Sequence, residues 1–350
     1  MKGADEVKTS WEKRKKFAKP TPIRTDQQEM IQIGNLFDTG QLPMLVTPRV
    51  PDVDLTEWVK SRRDFIEQKL RIHGGILFRG FDIHTEKDFQ TFTDKNILVP
   101  MQYKEGATPR SKVTENTYTS TEFPSDQHIA LHNELSYVTT WPQKICFCSI
   151  TPPKVGGETP IVDVRRVYER LDVSLRDKFA EKGWMLERNY GDGFGLRWQD
   201  VFHTEDPKEV EKYCKENQIE FEWKDEIHLR TRQVRSAVRK HPDTGEWLWF
   251  NHIVFWHESS LESKVREMLI ESFGRGNLPY NTYYGDGTPI DYKDAEHIRN
   301  AYDQETVSFR WEKGDVLLLD NMLVAHGRNP FSGDRKILVS MGEPYTPENL

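Results

Sequence analysis

Leu131-His132-Asn133-Glu134 sets an imidazole and a carboxylate two residues apart. The run before it, Gln127 to His132, reads as a strand. In an extended chain, side chains i and i+2 point to one face, so His132 and Glu134 can aim a nitrogen and an oxygen at a common point. With a second, distant His they would form the 2-His-1-carboxylate face that holds non-haem Fe(II) and leaves positions open. His-X-Glu is frequent by chance, so the pair needs support from elsewhere in the chain. His326, just past the apolar run Val316 to Leu319, can supply the third donor. Arg335 follows at the start of a further strand that runs to Met341. A buried guanidinium there implies an anionic partner, because an unpaired charge in the interior is costly. A 2-oxoacid fits both features. The carboxylate and keto oxygen of 2-oxoglutarate take two open metal positions, O2 takes the last, and the far carboxylate pairs in bidentate fashion with Arg335. Lys336 competes for that role, but it should face the other side of its strand.

The elements that must position these groups follow from pattern. Trp58 to Leu70 reads as an amphipathic helix that ends at His73-Gly74-Gly75, and Thr85 is the expected N-cap of a helix to Thr93. Gly75 to Phe81, Ile145 to Ile150, Glu158 to Asp163, Trp184 to Tyr190, Gln233 to Arg239, Val307 to Trp311 and Val316 to Leu319 read as strands. Val167 to Ala180, Lys208 to Asn217 and Leu261 to Phe273 read as helices. A long polar loop, 104–126, leads into the His132 strand and carries Asn116, Tyr118, Ser120 and Thr121, which face either a pocket or solvent. Many short strands between Gly, Pro and Asp turns, with a few helices, predict a mainly β fold with helices and a double-stranded β-helix (jelly-roll) core. Residues 1–26 read as an extended N-terminal arm, and 27–350 as a single domain with helical insertions.

Composition narrows the class. Hydrophobic residues make up 36% and charged residues 30% of the 350, enough apolar surface for a sizeable core. The net charge of -7 argues against nucleic acid as a partner. No apolar run is long enough for a membrane span, and the Lys-rich start has no secretory h-region, so a cytoplasmic protein is expected. Three Cys cannot make a disulfide framework, and Cys146 and Cys148 read as small buried hydrophobes rather than a metal pair. Glu105, Glu115, Glu122 and Asp126 ahead of the His132 strand suggest a cationic substrate.

His132-Asn133-Glu134, Gly156-Gly157-Glu158-Thr159, and Asp320-Asn321 with His326-Gly327-Arg328 and Gly333-Asp334-Arg335 resemble the taurine dioxygenase-like (TauD/TfdA) family of Fe(II)/2-oxoglutarate oxygenases. Tyr118 to Pro124, Arg188-Asn189-Tyr190-Gly191, His241-Pro242 and Tyr284-Gly285-Asp286-Gly287 are similar to its syringomycin-biosynthesis (SyrP-like) branch. The resemblance implies a clavaminate synthase-like core. It implies His132, Glu134 and His326 as iron ligands, and Thr159 and Arg335 as contacts to 2-oxoglutarate. Arg328 is left between a cofactor contact and a pair with Asp320. Val339 stands where relatives often carry a second Arg, which argues against a sulfonate bound in that way. A carboxylate at Glu134 argues for hydroxylation, desaturation or cyclisation, and against halogenation. The implied substrate is an amino acid or amino-acid-derived small molecule, free or tethered to a peptidyl carrier protein, with Tyr118, Ser120, Arg188 and Asn251 as candidate contacts. The competing class is a non-catalytic metal-binding cupin-like sensor or assembly protein, in which a buried cation such as Arg335 would have no purpose.

Overall fold

The computed structural model describes residues 30–348, apart from 39, 41, 98, 102–104, 106–112, 114–116, 121, 122, 192 and 194. The expected arm at 1–26, and Asn116, Thr121, Glu115 and Glu122 of the long loop, lie outside the described residues.

The chain passes back and forth between two sheets. Ile129–His132, Ile161–Asp163 and Val324–Arg328 belong to a small sheet, with Val324–Arg328 in its centre. Trp141–Thr151, Val316–Asp320 and Lys336–Tyr345 belong to a seven-stranded sheet. In sequence order these six strands alternate small, large, small, large, small, large. That alternation is the double-stranded β-helix, and the fold is mainly β with helices, as expected.

Packing explains why some of these strands are apolar throughout. In Val316–Asp320, Leu317 and Leu319 point into the core between the two sheets. Val316 and Leu318 point into a second core beneath the helices Leu55–Ser61, Arg63–His73 and Glu86–Asn96. A strand covered on both faces has no polar side to show. The same rule places the cysteines. Ile145 and Phe147 face the first core, while Cys146 and Cys148 face the second, where burial pushes the Cys146 thiol well up. All three cysteines are free and buried.

Helix ends follow local chemistry. Thr85 and Asp88 form a reciprocal capping box at Glu86–Asn96, and Gly74 at φ 72 closes Arg63–His73. Several boundaries differ from the expected ones. The helix expected over Trp58 to Leu70 is two helices that break at Arg62, and Trp58, Val59, Ile66 and Leu70 thereby reach the same core. Val167 to Ala180 is also two helices, Val164–Arg170 and Val173–Lys182, with buried Leu171 extended between them. Gln233 to Arg239 divides into Leu229–Arg235 and Val238–Lys240. Val307 to Trp311 forms no strand. Only Val307 bridges Ile161, while Phe309 and Trp311 pack edge to face. Between Ile161–Asp163 and Val316–Asp320 the chain inserts helices and a four-stranded sheet in which Trp184–Tyr190 lies between Leu229–Arg235 and Tyr280–Tyr284.

Candidate metal centre and its anion arm

The strand that carries His132 ends at that residue, so Glu134 lies in the following turn rather than on the strand. A distant side chain holds it there. The Glu134 N–H donates to Asn321 Oδ1 at 2.8 Å, and Asn321 Nδ2 donates to the carbonyls of Glu134 at 2.9 Å and Pro142 at 2.8 Å. Asn133 donates to the Asn321 carbonyl at 2.7 Å, which turns it away from Glu134's target.

His326 comes in from the neighbouring strand. It lies directly opposite His132 in the antiparallel ladder, and the ring centroids are 4.6 Å apart. The register then shifts by Arg328. Gly327 permits this, because a Cβ there would stand 2.6 Å from the Ile129 carbonyl oxygen. His132 Nδ1 lies 2.8 Å from the Ala130 carbonyl, to which it donates, so Nε2 is the nitrogen that would ligate. Glu134 Oε2 is 3.9 Å from His132 Nε2 and 3.7 Å from His326 Nε2. One donor atom from each residue falls within 4.8 Å of the others. Two imidazoles and one carboxylate at that spacing fit a ferrous ion with open positions. Among the described residues no other such cluster occurs.

Beside the cluster is a cavity lined by Ser120, His132, Thr159, His326, Arg328 and Arg335, among others. Arg335 sits just before the strand Lys336–Tyr345 and donates to Ser120 Oγ at 3.0 Å and to the Gly157 carbonyl at 3.1 Å. Gly156 and Gly157, at φ 68 and 70, make the turn that presents this carbonyl, and a Cβ on Gly156 would fall 2.2 Å from the Pro330 oxygen. Burial pushes the Arg335 guanidinium down to about 10, and Arg328 pushes it the same way. Lys336 pairs with Glu86 on the opposite side, which removes it as a competitor. Thr159 is buried, and its hydroxyl accepts from Trp311 Nε1 at 3.2 Å.

The remaining candidates separate. Ser120, expected at the substrate, is instead on the guanidinium of Arg335. Arg328 does not pair with Asp320. It donates to the carbonyls of Phe123, Pro124 and Gln127, while Asp320 accepts from the Met322 and Leu323 N–H groups and meets His241. Asn251 donates to the Ala237 carbonyl and accepts from the Ile253 N–H, so its amide is engaged with the backbone. Tyr118 pairs with Val339 at the edge of the large sheet. Arg188 is buried between Tyr190 and Trp256. Glu105, expected to greet a cationic substrate, is buried and accepts from the Tyr213 hydroxyl.

His252 is a neighbour of the metal site that the sequence does not single out. Its ring is 5.2 Å from that of His132, and Nδ1 is 2.6 Å from Ser136 Oγ. Burial holds its imidazole well below the ordinary range. No sequence spacing links it to His132, because their contact is made by the fold alone.

Fold and site together define a non-haem iron oxygenase that uses a 2-oxoacid. Residues 39–341 match the Taurine catabolism dioxygenase TauD, TfdA family. The dapdiamide synthesis protein DdaC of Enterobacter agglomerans is 39% identical over 303 residues, which are 87% of this chain and 92% of DdaC. A clavaminate synthase-like protein of Arabidopsis thaliana is 28% identical over 323 residues, 87% of this chain and 94% of its own. Among solved structures, PvcB of Pseudomonas aeruginosa superposes with a TM-score of 0.54 at 15% identity, over 93% of this chain and 95% of that one, a likeness of fold. The chain belongs to the TauD/TfdA family and is an Fe(II)- and 2-oxoglutarate-dependent dioxygenase. Among the described residues no helix is long and apolar enough to cross a membrane.

Proposed function

We propose that His132, Glu134 and His326 hold the iron, that Arg335 binds the far carboxylate of 2-oxoglutarate with Ser120 and Thr159 beside it, and that the enzyme oxidises an unactivated C–H of an amino-acid-derived small molecule. What supports the assignment is that His132, His326 and the Arg335 guanidinium line one cavity, and that Glu134 completes a donor set with the two histidines. When bound, iron with 2-oxoglutarate and O2 supplies a two-electron oxidation coupled to release of succinate and CO2. The chain's own share is positional. His132 donates Nδ1–H to Ala130, which makes Nε2 the nitrogen that would ligate, and Asn321 fixes the turn that aims Glu134. Phe147 and Phe255, edge-on to His326 and His132 at 5.0 Å, wall the donors with apolar surface. Hydroxylation is the expected outcome, with desaturation or ring closure as variants of the same C–H oxidation.

The substrate class rests on kinship with DdaC, a dapdiamide synthesis protein. A free substrate and one tethered to a peptidyl carrier protein are both compatible with that name. We also propose that residues 27–350 act as one catalytic unit in the cytoplasm, where free buried thiols remain reduced. Family membership decides against a non-catalytic metal-binding sensor.

The test is anaerobic addition of Fe(II) and 2-oxoglutarate, followed by O2. A visible band on mixing and succinate release in air are expected. Mass spectrometry of amino acids, free and carrier-bound, should then reveal one oxygen gained or two hydrogens lost. If His326→Ala binds iron as the wild type does, the ligand assignment fails.

A further inference from the structure

Arg188 lies on the strand Trp184–Tyr190 and is only 8% exposed. Its guanidinium lies 5.0 Å from the Tyr190 ring centre and 5.5 Å from that of Trp256. Among the described residues no carboxylate lies within ion-pair distance of it, and no atom accepts a hydrogen bond from its side chain. The nearby charges do not balance either. Glu105 is the buried carboxylate of this cluster, and both Arg188 and Arg235 act on it. Arg235 donates to the carbonyls of Tyr137, Asn217, Gln218 and Val234, so its donors are engaged. Glu105 accepts from Tyr213. Two guanidiniums therefore face one carboxylate, and the cation in excess has five donors to offer. A buried charge in that state calls for an anion.

The place of Arg188 says which anion. It is absent from the cavity of Arg335, so it is not the 2-oxoglutarate cation. Trp256, stacked on Arg188, lies 5.1 Å from His252, and His252 lies 5.2 Å from His132. Phe255 makes a parallel link, 5.7 Å from Trp256 and 5.0 Å from His132. Two ring contacts thus separate the open guanidinium from a metal ligand. A small molecule that holds its reacting carbon near the iron and its charged end on Arg188 would fit that span.

We infer that Arg188 determines specificity by receiving a carboxylate of the substrate, which makes the substrate an anion and not the cation expected from the acidic loop. This rests on the iron and 2-oxoglutarate assignment above. The planar fork suits a carboxylate in bidentate geometry, and the two aromatic faces fix its plane.

The experiment uses the holoenzyme with Fe(II) and 2-oxoglutarate, and N-acetyl amino acids as probes, each as the free acid and as the carboxamide. Binding is read anaerobically from the change in the visible band, and turnover from succinate release in air. Free acids should perturb the band and stimulate turnover, and carboxamides should do neither. Arg188→Gln should raise the half-saturating acid concentration by about 30-fold, and Arg188→Lys should recover part of it. Thermal unfolding separates this from a structural role. Removing an unopposed buried cation should leave Tm equal or higher. A counter-ion to Glu105 would instead give a lower Tm that Glu105→Gln restores in the double variant. Carboxamides that work as well as acids would overturn the proposal. So would an unchanged half-saturation in Arg188→Gln, or a wild type whose band no acid perturbs. If the wild type forms no band with Fe(II) and 2-oxoglutarate, the iron assignment itself has failed.

Discussion

Ser120 and Arg335 come together only in three dimensions, and their contact sets the first prediction. The guanidinium donates to one hydroxyl and one backbone carbonyl, and neither carries charge. A 2-oxoglutarate carboxylate would supply the missing negative charge, and such charged hydrogen bonds are worth about 1.5–3 kcal/mol. Arg335→Gln should therefore raise the KM for 2-oxoglutarate by about 10- to 100-fold. Arg335→Lys should recover only part of that, because Lys lacks the planar fork. Ser120→Ala should cost less, about 1 kcal/mol or fivefold in the same KM, since it removes a neutral partner. Initial rates at saturating O2 measure all three. His132 and His326 predict a different signature. Replacing either by Ala removes a ligand outright, so iron affinity should fall by more than the 10- to 100-fold typical of losing a ligand's supporting partner. Equilibrium dialysis against Fe(II) reads this without turnover.

At the scale of elements, the metal face is assembled by the end of one strand, the turn that follows it, and the middle of the strand paired with it. Asn321 follows Val316–Asp320 directly, and its side chain clasps the turn that carries Glu134. It is fully buried, and Asn321→Ala would leave the Glu134 N–H and two carbonyls without it. The expected loss is about 2–4 kcal/mol of stability and about 10- to 100-fold in iron affinity. Urea unfolding and dialysis check the two separately, and a variant that loses stability alone would show that Glu134 needs no such clasp. Asn321 also marks where sequence reading stops. Val316 to Leu319 was legible because a strand covered on both faces is apolar at every position. His132, His326 and Arg335 were legible because iron and a dicarboxylate demand those side-chain types. The clasp was not, because an Asn after a strand has many uses and its partner lies far off in sequence. Tyr292–Glu305 went unread as a helix for another reason. Its buried positions, Ala295, Ile298, Ala301 and Tyr302, are mostly small or aromatic and are set among charges, so its apolar stripe is faint. The break at Arg62 escaped for the opposite reason: both helices share one apolar period, and only the core beneath them shows the bend.

At the scale of the whole molecule, and among the described residues, the histidines that burial holds down, His128, His252 and His257, and one buried carboxyl, Glu105, set the response to acid. Burial holds His257 down to about 4, and its ring nitrogens meet Ser259 and the Ile290 carbonyl. His252 is held well below the ordinary value by the same cause. From the ordinary histidine value near 6.5 down to about 4, the unfolded chain takes up a proton that folded His257 refuses. Stability therefore falls as pH falls through that window, by up to about 3 kcal/mol for His257. Glu105 acts in the other direction. Burial raises its carboxyl, so above the ordinary carboxylate range the folded chain keeps a proton that the unfolded chain has lost, and stability falls as pH rises. The histidines outnumber the single carboxyl, so the metal-free protein should lose stability between pH 6.5 and 4. His257→Asn should flatten the slope of the urea midpoint against pH across this window, whatever it costs at neutral pH. Glu105→Gln should steepen it, because the opposing proton is gone. Parallel slopes in both variants and the wild type would mean that neither group governs acid unfolding. The exposed, ion-paired carboxyls cannot mimic the histidine effect. Asp225, for example, is held down to about 2 chiefly by its bond to His228, so its contribution is lost only at lower pH.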